Sequence, residues 1–409
     1  MSWPASRVVR RVDGWRMAKK TYTRMFRQQF LETWFSARDE TTFSDHCLRF
    51  SVSRQTAYEW LSRFDDEGLD GLEAKSTAPG RCPHATDDKT VKLVIEAREE
   101  HPTWGPKKLR AWLAEQFPWE VELPAPSTMG SILKRAGLVS TRKRRHSLAR
   151  YASPFLHVKA PNDVWTTDFK GHFRTRDRLL CYPLTLADCH SRYLLRCDAY
   201  ASPNAAVRRS FEAAFIEYGL PSAIRSDNGL PFASSGTPGG LSRLSVWWLQ
   251  LGILPERITP GSPWENGRHE RMHRTLKAEA TEPPQANRKQ QQRTFNAFRR
   301  EFNQDRPHEA LGQRPPRMFY TSSKRAYPRK LLEWEYPGTY QLRRITKAGM
   351  LHFDGRRLFL SALLRELVVG LKQVAEQAWK LYAGRLLLGV VDGTKRDLRL
   401  LPVENRRYV

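Results

Sequence analysis

Long apolar runs are missing from this sequence. No stretch of about 18 apolar residues occurs in its 409 positions, which leaves no candidate for a membrane-spanning helix. Residues 1–20, MSWPASRVVRRVDGWRMAKK, also lack the unbroken apolar stretch of a signal peptide, so a soluble, cytoplasmic protein is expected. Cysteine is scarce: Cys47, Cys82, Cys181, Cys189 and Cys197 are odd in number and form no C-x-x-C pair. Three of them share a spacing of eight, but no His or Cys companion falls at zinc spacing. Neither a disulfide framework nor a structural zinc is expected. Acidic residues are in deficit, 43 Asp+Glu against 69 Lys+Arg, for a formal net charge of +26. So large an excess repels the folded chain from itself unless a polyanion compensates it, and DNA or RNA is the simplest such partner.

The chain is long enough for two or three domains. After a basic arm (1–20), a unit of residues 21–78 opens with three helices over residues 21–64. TYTRMFRQQFLETWFSA sets Tyr22, Met25, Phe26, Phe30 and Trp34 at helical spacing, and TTFSDHCLRF is a short second helix. In SVSRQTAYEWLSRF, Ser53 is a candidate N-cap and Ala57, Tyr58 and Leu61 the buried stripe. Arg54, Gln55 and Thr56 then stand at an exposed helix start, as in a helix-turn-helix; a plain three-helix bundle fits the same pattern. Residues 87–140 repeat the outline without repeating the sequence. Pro126 lies near a helix start and Gly137 near its end, with Ser127, Thr128 and Ser131 toward the DNA-facing end. The segment 141–160, with Arg142, Lys143, Arg144 and Arg145, is a solvated linker, a basic arm along phosphates, or both.

From residue 161 to 320 the period changes. VWTTDFKGHFRT, LLCYPLTLADCHS and YLLRCDAYA are strand-like and most simply an antiparallel meander. NAAVRRSFEAAFIEYGL is a helix with Val207, Phe211, Ala214 and Phe215 inward; AIRSDNG and ILPERITPG are short strands, and basic helices follow. Strands first, then helix and strand alternating, indicate a mixed sheet covered by helices. Residues 335–409 return to short strands with hairpin turns at Asp354-Gly355 and Ala383-Gly384, suggesting a small β-barrel.

Three acids stand out in this basic chain. Asp168 lies within the first strand, with Val164, Thr166 and Lys170 on its face by alternation. A mid-strand carboxylate on a covered sheet needs compensating cations, unless the strand is an edge and Lys170 pairs with it. Asp227 closes AIRSDNG, where Asp-Asn-Gly is a turn signal and also a strand end of the kind that holds ligands. In SPWENGRHERMHRTLKAEA, Glu265 fits a capping box and Glu279 reads as solvated. Glu270 either forms a surface pair with Arg274 or shares a stripe with Arg274 and Lys277 that holds a metal ion and neighbouring phosphates.

Taken together, VWTTDF, IRSDNG and NGRHERMHRTLK, in that order on strand, strand end and helix, resemble the D-D-E core of retroviral-integrase-type transposases of bacterial insertion sequences. The resemblance extends upstream to SVSRQTAYEWLSRF, HPTWGPKKLRAWL and PSTMGSILKRAGL, and downstream to DRPHEALGQRPP, roughly residues 21 to 320. It implies an RNase H-like catalytic core behind helix-turn-helix modules, with Asp168, Asp227 and Glu270 as the catalytic acids. It also implies two Mg²⁺ or Mn²⁺ ions on those acids, and terminal DNA on Arg274 and Lys277. DNA cleavage, joining of 3′ ends to target DNA and self-association on DNA are implied as well, with nucleoid association when bound. One departure is the spacing of Asp227 and Glu270, 43 positions, longer than the family often has. The surplus falls in the Gly/Pro-rich stretch ASSGTPGGLSRLSVWW, where insertions are tolerated. A sequence-specific regulator without catalysis would explain the charge and the helix-turn-helix units but not the acids. A structural DNA-binding protein that has lost its chemistry would not need all three. A nuclease with an RNase H-like core is the nearest alternative, distinguished by the absence of strand-transfer products.

Overall fold

The computed structural model describes residues 22–74, 85–118, 122–139, 157–204, 206–234, 236–259, 267–331 and 333–402. The N-terminal basic arm, Cys82, Arg142, Lys143, Arg144, Arg145 and Glu265 lie outside them. The chain divides into two compact units, Met1–Ala85 and Thr86–Val409.

The first unit holds α1 (Arg24–Ala37), α2 (Phe43–Arg49) and α3 (Arg54–Glu67), each opened by a hydroxyl N-cap: Thr23, Thr42 and Ser53. Each cap oxygen accepts a backbone N–H that the first turn leaves without a helical partner. The three helices close on Phe30, Leu31, Cys47, Val52, Ala57, Trp60 and Leu72. Two expected core positions are displaced. Met25 is 81% exposed, because it lies roughly 140° around the helix from Phe30. Tyr58 is 57% exposed, and Trp60, three residues after Ala57, takes the inward place.

The second unit begins with another three helices, α4 (Asp88–Glu100), α5 (Pro106–Gln116) and α6 (Pro126–Arg135). Their core is Val94, Ala97, Trp104, Leu109, Leu113, Met129, Ile132 and Leu133. Pro126 occupies the first turn of α6, where its missing N–H costs nothing. Gly137 follows the helix at φ 71°, as a left-handed C-terminal stop requires.

A mixed sheet comes next: β1 (Val164–Phe169), β2 (Phe173–Arg174), β3 (Leu180–Asp188), β4 (Leu194–Tyr200), β5 (Ala223–Ser226) and β6 (Leu254–Arg257). The expected meander is present, β1 with β3 and β3 with β4, both antiparallel. β5 then joins β1 in parallel and β6 joins β5 in parallel, so β1 is central. Helix α7 (Arg208–Tyr218) and α8 (Arg243–Gln250) cover one face. There Trp165, Leu184, Leu186 and Ile224 meet Phe211, Phe215, Trp247 and Trp248. On the other face Cys181, Ala187, Leu194 and Cys197 meet α9 (Gly267–Leu276) and α10 (Arg288–Gln304), through Met272, Leu276, Phe295, Phe298 and Phe302. The split follows the two-residue strand period: Leu184 and Leu186 face one way, Thr185 and Ala187 the other.

Seven strands complete the unit: β7 (Gln341–Arg344), β8 (Met350–Phe353), β9 (Arg356–Phe359), β10 (Val368–Ala375), β11 (Ala378–Ala383), β12 (Leu386–Asp392) and β13 (Arg399–Leu401). Asp354 at φ 52° and Gly355 at φ 71° turn the β8–β9 hairpin, and Gly384 at φ 56° lies between β11 and β12. These turns match the sequence expectation. A closed barrel does not appear in the pairings of the described strands, which run β13-β12-β11-β10-β7 beside the separate hairpin. The hydrophobic side of this sheet is instead closed by Leu241, Val246 and Leu249, from α8 and the turn before it. Among the described residues no helix is long and apolar enough to cross a membrane.

Candidate active site

Asp168 is the fifth residue of β1. Because β1 is paired on both sides, the edge-strand reading of Asp168 does not hold. Alternation turns Thr166 and Asp168 toward α9 while Trp165 enters the opposite core. On the neighbouring parallel strand Thr166 pairs with Arg225, so Asp168 and Asp227, two residues further along each chain, emerge at the same end of the sheet. Asp227 is half-buried just past β5, and its Oδ1 accepts the Gly229 N–H at 3.3 Å. The turn reading and the strand-end reading of Asp227 therefore both hold. Glu270 stands exposed in the first turn of α9.

Electrostatics tie the acids together. Burial pushes the Asp168 carboxyl up to about 7, and the charges of Asp227 and, more weakly, Glu270 push in the same direction. The Phe169 backbone and Lys170 oppose them. Burial likewise raises Asp227, against the Gly229 hydrogen bond. Acids that repel one another in a half-buried site are the donor set a hard divalent cation relieves, and carboxylate oxygens are its preferred ligands. The donor chemistry therefore fits such an ion, although no three His, Cys, Asp or Glu side chains among the described residues are gathered closely enough to surround one.

Two histidines that sequence reasoning passed over fix α9 to the sheet. His269 and His273, one turn apart on either side of Glu270, are both buried. Their Nε2 atoms lie 2.6 and 2.7 Å from the Thr185 hydroxyl, which itself donates to the Asp168 carbonyl at 3.1 Å. The Nδ1 of His269 is 3.0 Å from the Thr166 hydroxyl. Burial drives the two imidazoles down to about 3 and about 2, so both are neutral hydrogen-bonding groups. The helix carrying Glu270 is thus bolted to the strand carrying Asp168. The H-x-x-x-H spacing in RHERMHR was the available signal.

Glu279, expected to be solvated, is half-buried and paired. It accepts two bonds from Arg306 at 2.5 and 2.8 Å and another from the Thr103 hydroxyl. Its partners are far away in sequence, so nothing local announced them. Glu270 and Arg274 form no ion pair among the described residues; Lys277 is 3.1 Å from Glu282. Arg274 and Lys277 are exposed on the Glu270 flank of α9. Arg54 and Gln55 are exposed at the start of α3, with Thr56 half-buried, and Ser127 and Thr128 are exposed at the start of α6. The four cysteines among the described residues, Cys47, Cys181, Cys189 and Cys197, are free and buried.

Models of known families match along this frame. The integrase core domain matches at residues 158–263 and again at 251–316. A helix-turn-helix domain matches at 27–80 and a homeodomain-like domain at 56–133. A protein of insertion element IS476 from Xanthomonas euvesicatoria is 28% identical over 305 residues, 73% of this chain and 84% of that one. A protein of insertion element IS407 from Burkholderia multivorans is 26% identical over 241 residues, 58% of this chain and 82% of that one. Together these matches support a bacterial insertion-sequence transposase with an integrase core. Among solved structures, an HTLV-2 integrase catalytic core domain in complex with magnesium matches at 16% identity and a TM-score of 0.31, covering 39% of this transposase and 97% of that chain. A simian T-cell lymphotropic virus intasome in complex with PP2A regulatory subunit B56 gamma matches at 15% identity and a TM-score of 0.35, covering 74% and 99%.

Proposed function

We propose that this transposase binds the ends of its insertion sequence, cleaves there, and joins the freed 3′ ends to target DNA, with Asp168, Asp227 and Glu270 as the catalytic acids. The observation that carries the reading is the parallel register of β1 and β5, which brings Asp168 and Asp227 out at one end of the sheet, beside a helix that holds Glu270 in its first turn and is tied to that sheet through His269 and His273. Two Mg²⁺ or Mn²⁺ ions held by the three acids would supply Lewis-acid activation of the attacking oxygen and stabilisation of the leaving one. Asp168 and Asp227, on adjacent strand ends, present their oxygens from the rigid sheet. Glu270 presents its own from a helix whose position His269, His273 and Thr185 fix. Arg274 and Lys277 lie along the Glu270 flank and receive phosphates of the terminal DNA. The reaction is in-line displacement at phosphorus, first by water and then by the freed 3′-hydroxyl. Because one phosphodiester replaces another in joining, no nucleotide triphosphate is consumed.

The exposed starts of α3 and α6 suit sequence reading in DNA, with Arg54, Gln55, Thr56, Ser127 and Thr128 as the contacting residues. The run Arg142, Lys143, Arg144 and Arg145 would track the backbone. Two ends handled together imply several copies assembled on DNA.

The test is Asp168→Asn, assayed with the element's own terminal DNA and Mn²⁺. DNA binding should persist while nicking and joining disappear. A variant that still cuts would remove Asp168 from the chemistry, and cutting without joined products from the native chain would favour a nuclease.

A further inference from the structure

Beneath the candidate acids, on the same face of the sheet, lies a buried ion pair that the proposed chemistry does not use. Arg225 stands two residues before Asp227 on β5, and Glu256 is its registered neighbour on β6. The Nε and Nη2 of Arg225 donate to Oε2 of Glu256 at 3.0 and 2.8 Å. The other carboxylate oxygen, Oε1, lies 3.1 Å from the Nε2 of His157, which comes ahead of β1. Arg225 and Glu256 are both buried, whereas His157 is exposed.

The place of this pair matters because of its neighbours. Thr166 is opposite Arg225 in the β1–β5 register, so alternation carries Arg225 and Asp227 to the α9 side together with Thr166 and Asp168. Alternate residues of one strand are about 7 Å apart, a separation that a long side chain spans. The Arg225 guanidinium is therefore within reach of Asp227 along β5 as well as of Glu256 across to β6. Its bonds to Glu256 turn it away from Asp227. What acts on Asp227 is burial, which raises its carboxyl, opposed by the Gly229 hydrogen bond; Arg225 does not hold it down. A pair between arginine and Asp227 would do the opposite, favouring the carboxylate while occupying the oxygens that a hard cation needs. Charge reinforces geometry. Arg225 and Glu256 together add no net charge beneath the acids, whereas Arg225 beside a neutral residue would add a positive one, and a buried charge left alone is costly.

We propose that Glu256 is a positioning residue, which confines the Arg225 guanidinium to the β6 side and so keeps Asp227 out of an ion pair and open to a divalent cation. The proposal rests on the reading of Asp227 as a metal-holding acid. It adds a fourth carboxylate that serves the site without touching the cation, and it explains how a buried arginine is tolerated two residues from that acid.

Full-length chain without DNA serves for the test, with Mn²⁺ alone as the probe and isothermal titration as the readout. Glu256→Gln keeps the shape and removes the charge, and its Mn²⁺ affinity should fall about tenfold or more, as expected where an arginine engages the acid. Glu256→Gln/Arg225→Gln takes away the guanidinium as well, and affinity should return close to that of the native chain. Unchanged affinity in the single variant would overturn the proposal. Equal weakening of the single and double variants would overturn it too, because a carboxylate that held the ion itself, or merely held β6 in place, is missing from both. Should the single variant not fold, the double decides alone: native-like binding is the expected result, and weakened binding refutes the proposal. Absence of Mn²⁺ binding by the native chain is a distinct result, which would remove the metal-holding reading of the acids along with this one.

Discussion

The Nδ1 of His273 lies 3.8 Å from Oδ2 of Asp168, while the Nε2 of the same ring is 2.7 Å from the Thr185 hydroxyl. Thr185 has one proton and three neighbours, and the Asp168 carbonyl can only accept it. Both histidines must therefore donate through Nε2, which leaves the His273 Nδ1 lone pair facing the Asp168 carboxyl. A single hydroxyl thus sets two tautomers and the spacing between the strand of Asp168 and the helix of Glu270. Thr185→Val keeps the shape and orphans the Nε2–H of both imidazoles at once, while the Asp168 carbonyl stays in the β1–β3 ladder. At about 1–3 kcal/mol per orphaned buried group, with partial relaxation, a loss of roughly 2–4 kcal/mol is expected in urea unfolding. Nicking should fall further than DNA affinity, because the acids are displaced while the DNA-binding helices are untouched. Equal stability of the two proteins would show that the hydroxyl is not the hub.

The raised carboxyl of Asp168 gives a pH signature in metal-free protein. Its folded value of about 7 exceeds the ordinary aspartate value of 3.8, so between these values the folded state binds more protons than the unfolded chain. The favourable contribution is complete below the lower value and is lost as pH rises through the upper one. Asp168→Asn has no such proton. The variant should match the native chain near pH 4 and become the more stable of the two above pH 7, by on the order of a few kcal/mol. Chemical unfolding at a series of pH values in chelator checks this. Added Mg²⁺ should close the gap at high pH by stabilising the native chain alone, and a gap of constant size at all pH values would contradict the account.

Local patterns in the sequence were sufficient for the helices, for the strands of the core, and for placing Asp168 and Asp227. Strand periodicity and turn chemistry are short-range, and parallel pairing of β5 with β1 brings those two acids to one sheet end. The hydroxyl caps, the Pro126 start and the Asp354-Gly355 hairpin were legible for the same reason. What escaped was what depends on distant partners. Glu279 reads as solvated because Arg306 and Thr103 are remote in sequence. The role of His269 and His273 needs Thr185, which lies on a strand more than eighty residues earlier. The barrel expectation failed because alternating strands determine a sheet's faces, whereas closure depends on its two edge strands meeting. Here α8 fills the hydrophobic face instead.

Glu279 and Arg306 form a pair with side chains only 14% and 7% exposed. Removing one partner leaves a buried charge alone, which typically costs about 3–5 kcal/mol. Arg306→Met should therefore unfold at markedly lower urea, as should Glu279→Gln to a lesser degree because Gln can still bond Thr103. The double variant should lose less than the two single losses together, and a double-mutant cycle reads that coupling. Additive losses would mean that the two side chains act independently.

The same pair bears on where the chain can be cut. The second three-helix unit contacts the catalytic core through several ties besides Thr103 and Glu279. Glu115 meets Arg317 at 2.5 Å, His101 meets Glu301 at 3.3 Å, and the Arg306 guanidinium lies over Trp104 at 5.7 Å. Each crosses from α4, α5 or the turn between them to α10 or the segment after it. The first unit, Met1–Ala85, is by contrast a separate compact body with its own core. A chain beginning at Thr86 should thus keep the thermal midpoint of its catalytic core, and lose the part of end recognition proposed for α3. A chain beginning at residue 141 strips the partners from Glu279's neighbourhood and uncovers Trp104's docking place, so its core should melt earlier and expose apolar surface to a dye. Footprints on the terminal DNA should be shortened in the first case and lost in the second. If both truncations melted alike, the ties between α4–α5 and the core would be contributing nothing to its stability, and the two helical units would have to be regarded as equally detachable.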